Sequence, residues 1–169
     1  VGTLLFLSGG ATVRFNGNEM DWKNLLAYYE LEFPGNLTSG VFEYTDADGN
    51  LFVNPISQVD SISFPATFTS LTQNTGSYTL NWVGTSLAAG QDVLVTIDGT
   101  FQNDVKLFSA TNPGSTSVIL EANKINGLGP GTADAWMHRN MSTALIEATS
   151  AGGVISARFE AAKTQISVQ

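Results

Sequence analysis

The stretch Ser77-Tyr-Thr-Leu-Asn-Trp82 alternates polar and apolar side chains, so that Tyr78, Leu80 and Trp82 fall on one face. A period of two residues is the pattern of a β-strand with one buried face. Outward from this stretch, the same pattern, bounded by Gly, Asn, Asp or Pro, predicts strands at Thr12–Phe15, Val41–Thr45, Leu51–Val53, Ser61–Phe64, Asp92–Ile97, Val105–Phe108, Ser117–Leu120, Thr132–His138, Val154–Phe159 and Thr164–Val168. Strands that recur about every 8–12 residues are typical of a β-sandwich or barrel. The sequence therefore predicts an all-β fold.

Two segments allow a second interpretation. In Asp21–Tyr29 a capping aspartate precedes apolar residues at helical spacing, whereas the alternation over Ala27–Phe33 favours a strand. We expect the strand. The segment Ser142–Ala148 is compatible with a short helix capped by Ser142.

Composition limits the class of protein. The chain has 169 residues, enough for one domain with its own core, and 43% of them are hydrophobic, which excludes general disorder. Charged residues make up only 13%, and the net charge of −8 has the wrong sign for a nucleic-acid binder. The polar surface must therefore come largely from Ser, Thr, Asn and Gly.

Cysteine and long apolar segments are missing from the sequence. With no cysteine, disulfides, thiolate nucleophiles and cysteine-ligated metals are excluded. The uninterrupted apolar runs, among them Leu4–Leu7, are far shorter than the ~20 residues of a membrane span. Because the chain begins at Val1, we expect an exported protein, extracellular or at the cell surface, whose signal peptide has been removed.

Four stretches together resemble a known family: Ile62–Pro65, Gly76–Trp82, Gly90–Ile97 and Thr164–Val168. They look like an immunoglobulin-like domain of bacterial surface proteins, over roughly Val59–Gln169, without the cysteine pair of antibody domains. The resemblance implies an immunoglobulin-like antiparallel β-sandwich, with residues 1–58 adding N-terminal strands and hairpins to a single domain of residues 1–169. Such domains usually serve as spacers, adhesion modules or subunits of surface polymers.

The sequence contains little evidence for a catalytic site. His138 is the single histidine, and its nearest candidate partners, Asp134 and Ser142, each lie four residues away along the chain. On a strand that separation is ~13 Å, too far for a hydrogen bond. The loop Gly127–Gly131 lacks the lysine of a phosphate-binding loop. Nothing in the sequence pairs the candidate carboxylates, which are Glu30, Glu32, Glu43, Glu121, Glu147 and Glu160. We expect neither catalytic residues nor a cofactor.

The turn Asp46-Ala-Asp-Gly-Asn50 has oxygen-bearing residues at its first, third and fifth places, as a calcium loop does. Its glycine stands at the fourth place instead of the sixth, and Ser57 occupies the twelfth place instead of a bidentate glutamate. We therefore predict a hairpin turn and no metal site.

Aromatic residues raise the question of ligand binding. Trp82 is in phase with Tyr78 and Leu80, which predicts a core position. Tyr28 and Trp136 lie out of phase with their apolar neighbours and are the predicted ligand-binding residues. We expect a non-catalytic structural or adhesion module with protein partners or self-assembly, including a subunit of a surface filament or lattice. The alternative is a carbohydrate-binding module with a glycan partner.

The strand-like segments at the two ends, Thr3–Leu7 and Thr164–Val168, lack the charges and prolines that protect exposed sheet edges. Leu4–Leu7 has apolar side chains on both faces, so it requires burial on both sides. Either a central strand of its own domain or addition to a neighbouring subunit would satisfy it.

Overall fold

The computed structural model of the chain describes residues 7–25, 27–35, 37–101 and 104–169. Its contacts divide the chain into two compact units. Unit 1 comprises Val1–Gln58 and Thr143–Ser156, and unit 2 comprises Val59–Ser142 and Ala157–Gln169. Thr143–Ser156 thus belongs to the same unit as the N-terminal residues.

Half of the described residues are in β-strands and very few are helical, which confirms the predicted all-β class. In chain order they form β1 (Thr12–Phe15), β2 (Asn18–Glu19), β3 (Asp21–Lys23), β4 (Tyr28–Glu30), β5 (Ser39–Thr45), β6 (Leu51–Ser57), β7 (Ile62–Ser63), β8 (Ser70–Leu71), β9 (Tyr78–Asn81), β10 (Val83–Gly84), β11 (Gln91–Asp98), β12 (Val105–Ala110), β13 (Ser117–Leu120), helix α1 (Ala122–Ile125), β14 (Gly131–Ala144), β15 (Val154–Glu160) and β16 (Thr164–Val168). Within the described ranges, no helix is long and apolar enough to cross a membrane.

Unit 1 is built on an antiparallel sheet of order β2-β1-β5-β6. The turn between β1 and β2 places Asn16 and Gly17 at φ values of 51° and 76°, the left-handed conformation that this dipeptide favours. The ring of Phe15 packs edge-on against Phe42 at 4.6 Å between centroids and covers Gly40, where a β-carbon would overlap the ring. The two central strands of the sheet are therefore joined by an aromatic contact that covers a glycine.

Strands β3 and β4 form a separate two-stranded ladder in unit 1, which resolves the ambiguous segment. Trp22 lies directly opposite Tyr29 in this ladder. Ala27, at a φ of 55°, turns the chain between the two strands, and its amide donates to the carbonyl of Lys23 at 2.8 Å. The helical interpretation is wrong, and the expected strand is confirmed over Tyr28–Glu30 only.

Unit 2 contains a larger sheet of order β12-β11-β14-β16-β8, with β15 also paired to β14, and two two-stranded sheets, β9 with β13 and β7 with β10. One buried cluster takes side chains from the large sheet and from β9 and β13. In β11 the core residues Val93, Val95 and Ile97 alternate with more exposed ones, as the sequence pattern predicts. Trp82 is only 6% exposed, which confirms its predicted core position.

Three segments differ from the sequence prediction or lie outside the described residues. The helix suggested for Ser142–Ala148 is wrong, because β14 continues through Ala144. Helix α1 was not foreseen, since its four residues are too few for a helical period to appear in the sequence. The predicted strand Thr3–Leu7 lies, apart from Leu7, outside the described residues.

Candidate functional site

One aromatic surface of unit 1 is a shallow, open cleft of about 390 Å³, which we call the aromatic cleft. Strands β3 and β4 supply Trp22, Tyr28 and Tyr29, whose order in the ladder fixes their positions. From the sheet, β1 and β5 supply three further lining residues, which are Val13, Phe42 and Tyr44. Phe42 and Tyr44 are two residues apart on one strand and therefore share a face.

One ring contact and one hydrogen bond order the cleft. The centroids of Trp22 and Tyr29 are 5.0 Å apart, with their planes inclined by 53°. The amide of Leu7 donates to the Tyr29 hydroxyl at 2.9 Å, so the polar end of this ring is engaged. Tyr28 is the exposed member, with 40% of its surface open to solvent. This arrangement brings the predicted binding residue Tyr28 to the mouth of an aromatic-lined cavity.

Two carboxylates, those of Glu30 and Glu32, act on Tyr28. Its hydroxyl donates to Glu30 Oε1 at 3.2 Å. The pKa of Tyr28 is raised by partial desolvation and then by this hydrogen bond, and the charge of nearby Glu32 acts in the same direction. Lys23 acts in the opposite direction, and its Nζ lies 3.5 Å from Glu30. The mouth of the cleft therefore presents negative charge beside an aromatic ring.

The second predicted binding residue, Trp136, belongs to the outer face of the large sheet in unit 2, opposite Thr96 in the ladder. Its ring is half-buried and is covered by Lys163, whose Nζ is 5.1 Å from the ring centroid. The same Nζ lies 2.6 Å from Asp134 Oδ2, and this contact is the main reason that the pKa of Asp134 is lowered. Trp136 is thus occupied by the protein's own cation.

His138 lies near Glu160. Its side chain is 17% exposed, and Nδ1 lies 3.8 Å from Glu160 Oε2, beyond hydrogen-bond distance. Asp134 is engaged by Lys163 and by Gln165, whose amide donates to it at 3.0 Å. The hydrogen bonds and ion pair described for Asp134 are therefore with Lys163 and Gln165.

The candidate carboxylates mostly have separate structural partners. Glu43 accepts a hydrogen bond from the Gly17 amide at 3.0 Å, and Glu147 accepts one from the Val53 amide at 2.6 Å. Glu121 pairs with Lys124 at 3.2 Å. These contacts stabilise turns, a strand edge and a short helix. Among the described residues, no group of three or more His, Cys, Asp or Glu is arranged to hold a metal ion.

The Asp46–Asn50 turn is closed by its own donors. Asp46 Oδ1 accepts from the amides of Asp48 at 3.0 Å and Asn50 at 2.8 Å, while Oδ2 accepts from the Asn50 side chain at 3.0 Å. The hydrogen bonds from Asn50 lower the pKa of Asp46. A carboxylate held in this way acts as the organising group of the predicted hairpin turn.

A buried arginine in unit 2 escaped the sequence reasoning. Arg139 is 1% exposed and uses all five of its N–H donors on neutral acceptors. It donates to both oxygens of Thr85 at 3.1 and 2.8 Å, to the Ser86 carbonyl at 2.8 Å, and twice to Gln91 Oε1 at 2.6 and 3.2 Å. The Thr85 hydroxyl in turn donates to Asp60 at 2.7 Å. Arg139 therefore fixes the loop before β11.

The sequence reasoning also missed Phe42 and Tyr44 as part of the cleft. Both belong to the clearest hairpin, where alternation with Glu43 indicated only a strand. Their role depends on which strand lies beside β5, and β1 pairs with it so that Val13 faces Tyr44. A single sequence contains no direct signal for that pairing.

A search against protein-family models finds no matching model. A search against curated proteins finds no matching protein. The function is therefore inferred from the aromatic cleft and the contacts around it.

Proposed function

We propose that this protein is a non-catalytic structural or adhesion module of the cell surface or extracellular space. In this proposal residues 59–169 form an immunoglobulin-like sandwich that carries the N-terminal strands. The observation that carries the proposal is the aromatic cleft, with Tyr28 exposed at its mouth. Rings of this kind are enriched where proteins contact partners.

The contrast within the chain supports a binding role for the cleft. A large part of unit 2 is a closed apolar core, which suits a rigid support. In the described part of unit 1 the aromatic side chains are half-buried or, at Tyr28, exposed, so part of their ring surface remains open to a partner. Ring surface left accessible in this way is the usual basis of a contact site.

A non-catalytic role is supported by how the reactive side chains are used. Glu43 and Glu147 accept hydrogen bonds from backbone amides, and Asp134 pairs with Lys163. General acid–base chemistry requires such groups to converge on one substrate position. Each of these carboxylates instead serves a contact of its own.

Size-exclusion chromatography with light scattering, followed by negative-stain microscopy, tests assembly directly. If the chain is a filament or lattice subunit that associates through the cleft, we expect large particles for the native protein and for Leu51→Ala, and monomers for Tyr28→Ala. Leu51 is a matched control because it is an exposed apolar residue of unit 1 that does not line the cleft. If Tyr28→Ala still forms large particles, assembly does not depend on the cleft.

The alternative, a carbohydrate-binding module, has its own supporting observation. Tyr28 presents an exposed ring beside Glu30, so an apolar sugar face and a hydroxyl group could be recognised together. A glycan array probed with the native protein, Tyr28→Ala and Trp136→Ala distinguishes this case. We expect glycan binding to be lost in Tyr28→Ala and retained in Trp136→Ala, because Lys163 already covers Trp136. An array without binding removes this alternative.

A further inference from the structure

We propose that the aromatic cleft binds an arginine-bearing peptide segment of a partner protein, with the guanidinium group against the exposed Tyr28 ring and beside Glu30. This inference rests on the proposed function, because it requires the cleft to be a contact site. It goes further by naming the chemistry of the partner. Three observations lead to it: the charge of unit 1, the lining of the cleft, and the way the chain uses its own cations.

Charge is distributed unequally along the chain. The residues of unit 1 include eight carboxylates and two basic side chains, a net charge of −6, whereas unit 2 has seven and five, a net charge of −2. Both basic residues of unit 1 lie close to carboxylates, Lys23 at 3.5 Å from Glu30 and Arg14 at 3.8 Å from Glu19. The excess carboxylates of unit 1 therefore favour a cationic partner and raise its association rate.

The lining of the cleft selects among cations. A guanidinium group stacks on aromatic faces, is weakly hydrated and binds carboxylates with directed N–H groups. Both complementary features are present at the mouth, in the Tyr28 ring and in Glu30, which accepts its hydroxyl proton. The volume of about 390 Å³ is within the range of ligand pockets and admits one long side chain with its neighbours.

The chain itself contains ammonium–ring contacts of the same class. Lys163 lies 5.1 Å above the ring of Trp136, and Lys124 lies 5.1 Å above the ring of Phe108. Both contacts lie within unit 2 and are made by residues of unit 2. In unit 1, Lys23 lies opposite Tyr28 in the ladder, and its Nζ is 3.5 Å from Glu30. The partner protein would supply the cation that contacts the exposed Tyr28 ring.

A second copy of this chain is a poor source of that arginine. Of the three arginines, Arg139 is buried, whereas the exposed Arg14 and Arg158 have partners within the chain, Glu19 at 3.8 Å and Asn140 at 2.8 Å. Association of two chains through unit 1 would also bring two regions of net charge −6 together. The charge distribution therefore favours a different protein.

The test uses an array of labelled heptapeptides with a central arginine and varied flanking residues, each paired with a peptide that has citrulline at the centre. Citrulline keeps the planar shape and removes the charge. For the peptides that bind, fluorescence polarisation should give a Kd about tenfold weaker with citrulline, and binding should weaken as sodium chloride rises. Equal affinity for the two peptides of each pair would overturn the inference.

Three variants locate the binding site. Tyr28→Leu keeps an apolar side chain and removes the ring, and Glu30→Gln keeps the shape and removes the charge. We expect both substitutions to weaken the binding of the arginine peptides several-fold. The difference in affinity between arginine and citrulline peptides should also become smaller, whereas Leu51→Ala should leave the affinity unchanged. Unchanged melting temperatures would confirm that the variants are folded. Arginine peptides that bind Tyr28→Leu as tightly as the native protein would place their site elsewhere.

The outcomes separate this inference from the proposed function. In one outcome, particle formation or glycan binding depends on Tyr28 but peptide binding does not depend on arginine. The cleft would then remain a contact site, and only the proposed arginine-bearing partner would be overturned. A cleft that mediates neither assembly, nor glycan binding, nor peptide binding would overturn both.

Discussion

The two units bury their apolar residues in different ways. In unit 2, aliphatic side chains such as Leu80, Val95 and Val118 are completely buried in one cluster fed by several strands. In the described part of unit 1, Phe15 contacts Phe33 and Phe42 edge-on, and each of these rings is only half-buried. Apolar area removed from water is the main source of folding free energy. We infer that stability is concentrated in unit 2 and that unit 1 carries the surface available for binding.

Protection of sheet edges is common to both units. In β6 the Val53 amide points away from β5 and donates to Glu147. Amides two residues apart on a strand point the same way, and at this position Pro55 has no N–H group to offer another strand. On β12 the carbonyl of Leu107 accepts from Lys124 at 2.7 Å. Proline and charged groups at edges discourage pairing with other chains. Self-assembly by strand addition is thus opposed at β6 and β12.

The largest effect should come from the core of unit 2. Trp82→Ala should lower the free energy of unfolding by about 3–5 kcal/mol, because it removes a buried indole and the hydrogen bond from its Nε1 to the Thr85 carbonyl at 3.0 Å. Urea unfolding followed by circular dichroism measures the change. Phe42→Ala in unit 1 is the comparison, and we expect a smaller loss because that ring is half-buried. Equal losses would contradict the contrast between the units.

The next effect concerns the buried guanidinium of unit 2. Gln91→Leu keeps the side-chain volume but removes the oxygen that accepts two hydrogen bonds from Arg139. Hydrogen bonds to charged groups contribute about 1.5–3 kcal/mol, and we expect a loss of stability in that range. Denaturant unfolding of Gln91→Leu and of Gln91→Glu gives the comparison. Because a carboxylate retains the acceptors, Gln91→Glu should lose less. The opposite order would show that Arg139 does not depend on this contact.

The sequence predicted the strands of unit 2 better than the structure of unit 1. Val93, Val95 and Ile97 follow strict alternation because a single core covers one face of the sheet, and the pattern records that burial. Around Trp22 and Tyr29 the spacing is shared by a helix and a hairpin, and the decisive feature is the positive φ of Ala27, which has no sequence signature. The cleft was foreseen only through Tyr28, since its other walls depend on strand pairing.

Acid should weaken unit 2 through Asp104, which is 3% exposed. Burial opposes ionisation of this carboxyl, but the Gly129 amide and Lys106, whose Nζ lies 3.2 Å away, outweigh it and lower the pKa. A lowered folded-state pKa gives stability that is present above the unfolded value of about 3.9 and is lost as pH falls toward the folded value. Asp104→Asn should cost about 1.5–3 kcal/mol at pH 7.

Urea titrations at pH 7, 5, 4 and 3 test the role of Asp104. The difference in free energy of unfolding between the native protein and Asp104→Asn should be the same at pH 7 and pH 5. It should become smaller below about pH 4. Glu160→Gln is a suitable control, because its carboxylate is exposed and lies beyond hydrogen-bond distance from His138. A difference that is independent of pH would show that the charge of Asp104 contributes nothing to stability.

A smaller, local effect is expected in unit 1. Asn54 accepts hydrogen bonds from the Ile146 and Glu147 amides at 2.8 and 3.1 Å, and it donates to the Glu147 carbonyl at 2.8 Å. Asn54→Ala should cost about 1 kcal/mol, because water can replace these partners at the exposed residues 146 and 147. Limited proteolysis should show faster cleavage within 143–156, with fragments read by mass spectrometry. Unchanged cleavage would mean that other contacts hold this segment.

The smallest effect is predicted for calcium at the Asp46 turn of unit 1. Both carboxylate oxygens of Asp46 already accept hydrogen bonds from Asp48 and Asn50, and the lowered pKa keeps the group ionised without a metal. A bound ion would have to displace these donors and would find an incomplete set of ligands. Millimolar calcium or EDTA should therefore shift the melting temperature by less than about 1 °C, since only a ligand bound to the folded state stabilises it. A clear calcium-dependent rise that disappears in Asp46→Ala would show that the turn is a metal site.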